Sequence, residues 1–244
     1  MMLTDRAPHT GEESRPLRVL AFTCSRDRPV MLRHAVMQMQ RQTYPVDHIV
    51  YLNAPLVAGQ PQVNRNYETL VRDAAAEAPE RLKLRIGPTG THHQNYMAAL
   101  SAIDLEDYDL FVQVDDDDLY LHAYVESIVR HYQASPWDYS GSASAGLLRG
   151  AVWEENTHLP SLGLGDEDRA AGVPPIIPPT LALSRRAVLA LRDMPDTGDY
   201  HDRMWRRYLA RHGDMVLAIR PERHFVYHLH GHNASTAPWL GPQS

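Results

Sequence analysis

The sequence holds a single cysteine, Cys24, only three phenylalanines, no apolar run long enough to cross a bilayer, and no surplus of positive charge. One cysteine excludes an internal disulfide and fits a reducing compartment. Cys24 itself reads as a small buried hydrophobe rather than a nucleophile. A membrane span needs about 20 consecutive apolar residues, and the polar stretch 1–16 has no apolar segment of signal-peptide type. Peripheral contact with a membrane surface stays open. The net charge of −6 supplies no basic field to hold nucleic acid. We therefore expect a soluble cytoplasmic protein without a nucleic-acid partner.

What remains is ordinary globular material. With 43 % hydrophobic and 22 % charged residues over 244 positions, the chain can bury one sizeable core as a single decorated domain. Residues 1–17 read as a disordered leader and 237–244 as a tail. Strands are expected at 18–23, 48–53, 82–86 and 110–114, with helices at 29–42, 67–76 and 93–103 between them. Pro29 suits a helix first turn, and Leu32, Ala35, Val36 and Met39 share one face. This alternation implies right-handed βαβ units and an α/β fold with a mainly parallel sheet flanked by helices. Beyond residue 120, a helix at 123–133 precedes one strand at 139–148. Residues 154–179, rich in Gly, Pro and acidic groups, read as a mobile loop of the kind that forms lids. A strand at 180–184, helices at 186–191 and 200–212, and strands at 215–219 and 224–229 close the chain.

Four consecutive carboxylates, Asp115 to Asp118, end the apolar run Leu110, Phe111, Val112 and Val114. Carboxylates so crowded repel one another, and a divalent cation among them removes the repulsion. An acidic run can also be a solvated turn, but this one is joined to a hydrophobic strand in mid-chain, where open α/β sheets place ligand sites. His228, His230 and His232 alternate, so on a strand they share a face; imidazole with carboxylate suits Mn²⁺, whereas the alternative is polar surface. Asp199 and Asp202 precede an amphipathic helix carrying Met204, Trp205 and Tyr208. A carboxylate there caps a helix or acts as a general base.

The order of elements resembles the inverting glycosyltransferases of family 2, which have the nucleotide-sugar-binding GT-A fold. The resemblance rests on Phe22-Thr-Cys-Ser-Arg-Asp-Arg-Pro29, Arg41-Gln-Thr-Tyr-Pro45, Val114-Asp-Asp-Asp-Asp-Leu-Tyr120, His201-Asp202 before a helix that runs to Gly213, and His230-Gly-His-Asn-Ala-Ser235. It spans nearly the whole chain, from about residue 18 to 235. It implies a GT-A-type (Rossmann-like) domain over 18–236, with a nucleotide-sugar-binding half at 18–120 and a smaller acceptor-side part at 121–236. Asp117 would then ligate Mn²⁺ or Mg²⁺ bridging the donor diphosphate, and Asp115 or Asp116 would contact the ribose or the metal. Thr23 and Ser25 would line the nucleotide pocket, Asn95 would face the donor, His230 would reach the metal or diphosphate, and Asp202 would be the catalytic base. The implied partners are a nucleotide-diphosphate sugar and a saccharide or other hydroxyl acceptor. Asp118 is left to support the turn.

Two departures matter. Asn53 stands where the family has an acidic group that grips the base, and its amide offers a donor as well as an acceptor. Gln94 replaces an arginine, leaving His92, His93, Arg26 and Arg28 to supply the missing cation. Without membrane helices or the Gln-x-x-Arg-Trp motif of processive members, the chain is expected to add one sugar per event. Two other readings remain, a non-catalytic nucleotide-sugar module of the same fold and a phosphatase of the Asp-x-Asp nucleophile type. The phosphatase places its motif on the first strand, whereas here the motif follows the fourth.

Overall fold

In the central sheet, successive residues of a buried strand feed two different cores. The computed structural model describes residues 15–57, 60–61, 65–149, 152–158, 172–173, 175–196, 201–221 and 223–229. The elements run β1 (Val19–Ser25), α1 (Pro29–Gln40), β2 (Asp47–Ala54), β3 (Leu56–Val57), β4 (Gln60–Pro61), α2 (Arg65–Ala74), β5 (Leu82–Pro88), α3 (His92–Leu100), β6 (Leu110–Gln113) and β7 (Leu119–Tyr120). They continue with α4 (Tyr124–Ala134), β8 (Tyr139–Ser142), β9 (Ser144–Arg149), β10 (Val152–His158), β11 (Ala182–Ser184), α5 (Arg185–Arg192), α6 (His201–Arg211), β12 (Leu217–Arg220) and β13 (Phe225–Leu229). Val19 and Ala21 of β1 pack with Ala35 and Met39 of α1 and Ile128 of α4. Leu20 and Phe22 point to the other layer, with Ala99 of α3, Leu191 of α5 and Trp205 of α6. This period-2 alternation on a two-sided sheet is why β1 and β6 read as unbroken apolar runs.

Seven strands form the main sheet in the order β12-β8-β11-β6-β1-β2-β5. All neighbours are parallel except at β11, which runs against both β6 and β8. A second sheet has the order β10-β9-β13-β7. The α/β class expected from the alternation is what the chain adopts. From β1 the chain moves outward to β2 and β5, then returns through α3 to β6 on the other side of β1. The topology therefore reverses between β1 and β6, and in open α/β sheets ligands bind at such a point, beyond the strands' C-terminal ends.

Local chemistry explains the helix starts. Pro29 occupies the first turn of α1, and Leu32, Ala35, Val36 and Met39 are its buried residues, at helical spacing. Thr91 and Gln94 form a reciprocal capping box on α3, and Ser184 caps α5.

Two expectations need correction. The single strand at 139–148 is two, because the Ser142 hydroxyl bonds the Ser144 carbonyl at 2.7 Å and accepts its N–H at 3.2 Å. That local turn sends β8 and β9 into different sheets. The loop expected at 154–179 is also shorter. Val152–His158 is a strand, paired antiparallel with β9, which supplies a ladder that composition cannot reveal. At the other end Ile176 and Ile177 are fully buried, and a side chain on Gly141 would come within 2.8 Å of Ile176 Cβ. Residues 159–171 lie outside the described part.

Candidate active site

The parallel pairing of β1 with β6 brings Ser25 and the four aspartates to one edge of the sheet. Val114 continues β6 by donating its N–H to Phe22 O at 3.1 Å. Its carbonyl accepts the Thr23 hydroxyl at 2.8 Å. Beyond that clamp the chain turns, and the four carboxylates take different partners.

Asp115 is half-buried, and its Oδ1 accepts from Gln113 Nε2 at 3.1 Å and from the Tyr96 hydroxyl at 3.3 Å. Its N–H donates to the Tyr120 hydroxyl at 2.8 Å. Asp116 is buried; one oxygen takes the Ser25 hydroxyl at 2.5 Å and the other the Arg28 guanidinium at 3.1 Å. The same Arg28 nitrogen lies 2.8 Å from Asp117 Oδ2. Asp118 is buried and accepts the backbone N–H of His228, on β13, at 2.9 Å. Asp115, Asp117 and Asp118 each present an oxygen within 4.8 Å of the others. Three clustered carboxylates are a hard, all-oxygen donor set of the kind that holds Mg²⁺ or Mn²⁺.

The electrostatics register the crowding. Burial raises the Asp116 acid to about 6; the Ser25 hydrogen bond opposes the shift and the Asp117 charge adds to it. Burial, then the charges of Asp117 and Asp115, push Asp118 well above the carboxylate range. A cation among these oxygens would relieve that cost. Tyr96 and Tyr120 are raised first by burial and then by Asp115, so both stay protonated donors. The Cys24 thiol is raised by burial and by Asp115 and Asp116, which keeps it out of the thiolate form and disqualifies it as a nucleophile.

The loop between β1 and α1 is held by Tyr67 of α2 and by the aspartates after β6. Asp27 adopts φ 55°, the left-handed region that Asp tolerates better than most residues. Tyr67 of α2 bonds Ser25 Oγ at 2.6 Å and also meets the Arg28 backbone, and burial raises its hydroxyl to about 12. Exposed Arg26 lies 3.5 Å from Asp27. Ser25 thus sits in a chain from Tyr67 to Asp116.

Other residues singled out in the sequence take different places. Thr23 is fully buried; its hydroxyl donates to Val114 O and accepts from His48 Nε2 at 2.8 Å, so it ties β1 to β2 and β6 and exposes no surface. Asn95 is buried with its amide spanning Gly90, whose N–H and carbonyl it meets at 3.0 and 3.2 Å. It shapes the turn before α3. Asn53 is buried at the C-terminal end of β2, and its Oδ1 has no hydrogen-bond partner among the described residues. Gln94 serves the α3 cap. His93 is buried and accepts from Trp205 Nε1 at 2.9 Å; burial lowers its basicity, so it supplies no cation. Asp202 lies in the first turn of α6, but its side chain, like Asp199, His230 and His232, lies outside the described part.

The residues not foreseen are Asp118 as a member of the carboxylate set, Arg28 as its ion-pair partner, and Tyr67 and Tyr96 as supports. The partners of Asp118 and Arg28 are 110 and 89 positions away, and no local pattern marks such pairs. A separate cavity of about 200 Å³ between α1 and α2, lined by Arg33, Gln40, Asp73 and Glu77 among others, shares no residue with the cluster.

No protein-family model and no curated protein sequence matches the chain. Solved structures do. The mannosyltransferase PcManGT from Pyrobaculum calidifontis, in complex with GDP-Man and Mn²⁺, superposes with a TM-score of 0.64 at 14 % identity, over 90 % of this chain and 59 % of that one. Residues 1–349 of S. aureus TarS match with a TM-score of 0.60 at 10 % identity in complex with UDP-GlcNAc, over 88 % of this chain and 59 % of that one. The UDP complex matches at 0.59 and 9 % over 87 % and 61 %. The chain thus spans about 60 % of the length of these structures. The likeness establishes a GT-A-type fold. Among the described residues no helix is long and apolar enough to cross a membrane.

Proposed function

We propose that the chain is an inverting glycosyltransferase of the family 2 kind, moving one sugar per event from a nucleotide-diphosphate sugar to an acceptor hydroxyl. The observation that carries this reading is the convergence of Asp115, Asp117 and Asp118 within 4.8 Å at the point where the sheet reverses. It is supported by a fold shared with proteins solved with UDP, UDP-GlcNAc and GDP-Man. A single domain over 18–236, working in the cytoplasm, is part of the same proposal.

The three carboxylates would hold Mn²⁺ or Mg²⁺, with His230 as a further ligand and His228 or His232 as its alternates. When bound, the cation would neutralise charge developing on the departing nucleotide diphosphate. The protein's own groups do the rest. Ser25 and Asp116 hold the β1–α1 loop, and with it Arg26, against the nucleotide. Asn53, at the C-terminal end of β2, would meet the base through its side-chain amide. Asp202 accepts the proton of the acceptor hydroxyl as that oxygen attacks the anomeric carbon opposite the leaving group, which inverts the configuration. Helix α6, which carries Asp202, is anchored one turn later by the Trp205–His93 bond.

The acceptor is a saccharide or another hydroxyl compound. Uridine and guanosine nucleotide sugars are the donors to try first, because the neighbours were solved with both. Release of UDP or GDP from such a panel, with Mn²⁺ and with EDTA, tests the reading. One donor is expected to be consumed in a metal-dependent way. Metal-dependent binding without release, over a broad acceptor panel, would favour the non-catalytic module.

A further inference from the structure

We propose that Arg28 is an exchangeable counter-cation: it neutralises Asp117 while no divalent cation is bound, and yields Asp117 to the incoming cation to turn toward the donor diphosphate. This rests on the metal reading above and goes beyond it, because it gives Arg28 a role in loading the site.

A single guanidinium nitrogen of Arg28 bridges two carboxylates with different duties. Asp116, at 3.1 Å, also holds the Ser25 hydroxyl and is buried, so it belongs to the loop's framework. Asp117, at 2.8 Å, belongs to the set of three oxygens that converge within 4.8 Å. A small divalent cation lies roughly 2.0–2.6 Å from its oxygens, so one sharing the Asp117 oxygen with Arg28 would sit no more than about 5 Å from that nitrogen and in strong repulsion with it. The main chain of Arg28 is fixed by its bond to Tyr67 and by Pro29 at the start of α1. The side chain is not enclosed, since 30 % of it is exposed. Exchange therefore breaks the ion pair with Asp117 by a movement of the side chain while the main chain stays in place.

The other groups considered for the diphosphate leave a place for Arg28. Gln94 caps α3, and His93 lies between Trp205 and the Met194 backbone. Arg26 is exposed beside Asp27. Arg28 is already at the carboxylates, and a guanidinium suits phosphate oxygens.

Mn²⁺ binding by calorimetry, on wild type, Arg28→Gln and Arg28→Lys, tests this. Removal of the competing charge is expected to tighten Mn²⁺ binding roughly five- to twentyfold in Arg28→Gln. UDP or GDP binding at saturating Mn²⁺ should weaken by a similar factor. Arg28→Lys should stay within about twofold of wild type for Mn²⁺, since the charge is kept. If Arg28→Gln fails to fold, wild type still decides the matter. The Arg28 Nε–H resonance, assigned by comparison with Arg28→Lys, is expected to move on saturation with Mg²⁺. A folded Arg28→Gln with unchanged or weaker Mn²⁺ binding, or a resonance unmoved by bound Mg²⁺, overturns the exchange and leaves the metal reading intact. Wild type that binds neither cation overturns both.

Discussion

The backbone N–H of His228 donates to the Asp118 carboxylate at 2.9 Å, which ties the last described strand of the second sheet to the acidic turn of the first. Through this bond β13 meets the acidic turn one residue before its own end. Asp118 is buried, and its charge is held at a cost. Asp118→Asn should keep an acceptor for the N–H and lose the charge. The variant is expected to melt about 2–6 °C higher than wild type in EDTA and to bind Mn²⁺ at least tenfold more weakly. Thermal melts with and without Mn²⁺ check both changes.

Donor binding and turnover should separate along the chain. Asp117→Ala is expected to abolish metal-dependent nucleotide binding. Asp202→Asn should leave that binding near normal and lower turnover by roughly 10²–10⁴. Equal loss of affinity in both would make Asp202 a part of the donor pocket or a helix cap. Calorimetry and single-turnover assays distinguish these outcomes.

The Trp205–His93 bond gives a third expectation. Trp205 is fully buried, 5.5 Å from the Tyr96 ring and 6.2 Å from the Phe22 ring by centroids. Trp205→Phe removes the indole donor and leaves a buried His93 nitrogen without its partner. A loss of about 1–3 kcal/mol in denaturant unfolding is expected. Turnover should fall more than nucleotide affinity, because α6 carries Asp202 and not the carboxylate cluster.

His48 sets a dependence on pH. Its ring is fully buried, and burial lowers its basicity from 6.5 to about 3. The Thr23 hydroxyl donates to Val114 O, so it accepts from His48 Nε2–H, and Nδ1 has no partner among the described residues. The folded value lies below the unfolded one, so the unfolded chain binds the extra proton between about pH 6.5 and 3. Stability is full above that window and falls as pH drops through it, by up to about 5 kcal/mol. His48→Gln keeps a donor and does not titrate. Acid unfolding followed by circular dichroism should show a shallower loss for this variant over that range.

Much of the fold was legible because the buried strands of a parallel sheet write themselves as apolar runs, as at β1 and β6, and because Pro29 marks a helix start. The break between β8 and β9 was not, since it depends on one hydroxyl, that of Ser142, turning onto its neighbour's backbone. Within the site, the acidic run announced itself, but four identical residues in sequence carry no sign of which converge. Asp116 is held by Ser25 and Arg28, and Asp118 by the His228 backbone on β13, the latter and the Ser25 bond both across long stretches of chain. Thr23 and Asn95 matched a motif by position, yet their polar atoms are used within the fold, by His48 and Val114 in one case and by Gly90 in the other.

The most direct test of metal-dependent sugar transfer is release of nucleotide diphosphate from a panel of UDP- and GDP-sugars by wild type and Asp117→Ala, with Mn²⁺ or with EDTA. Release from at least one donor is expected for wild type with Mn²⁺ and is expected to vanish in EDTA and in Asp117→Ala. Release that persists undiminished in EDTA and in Asp117→Ala would contradict a role for the aspartate cluster as the cation site of a glycosyltransferase.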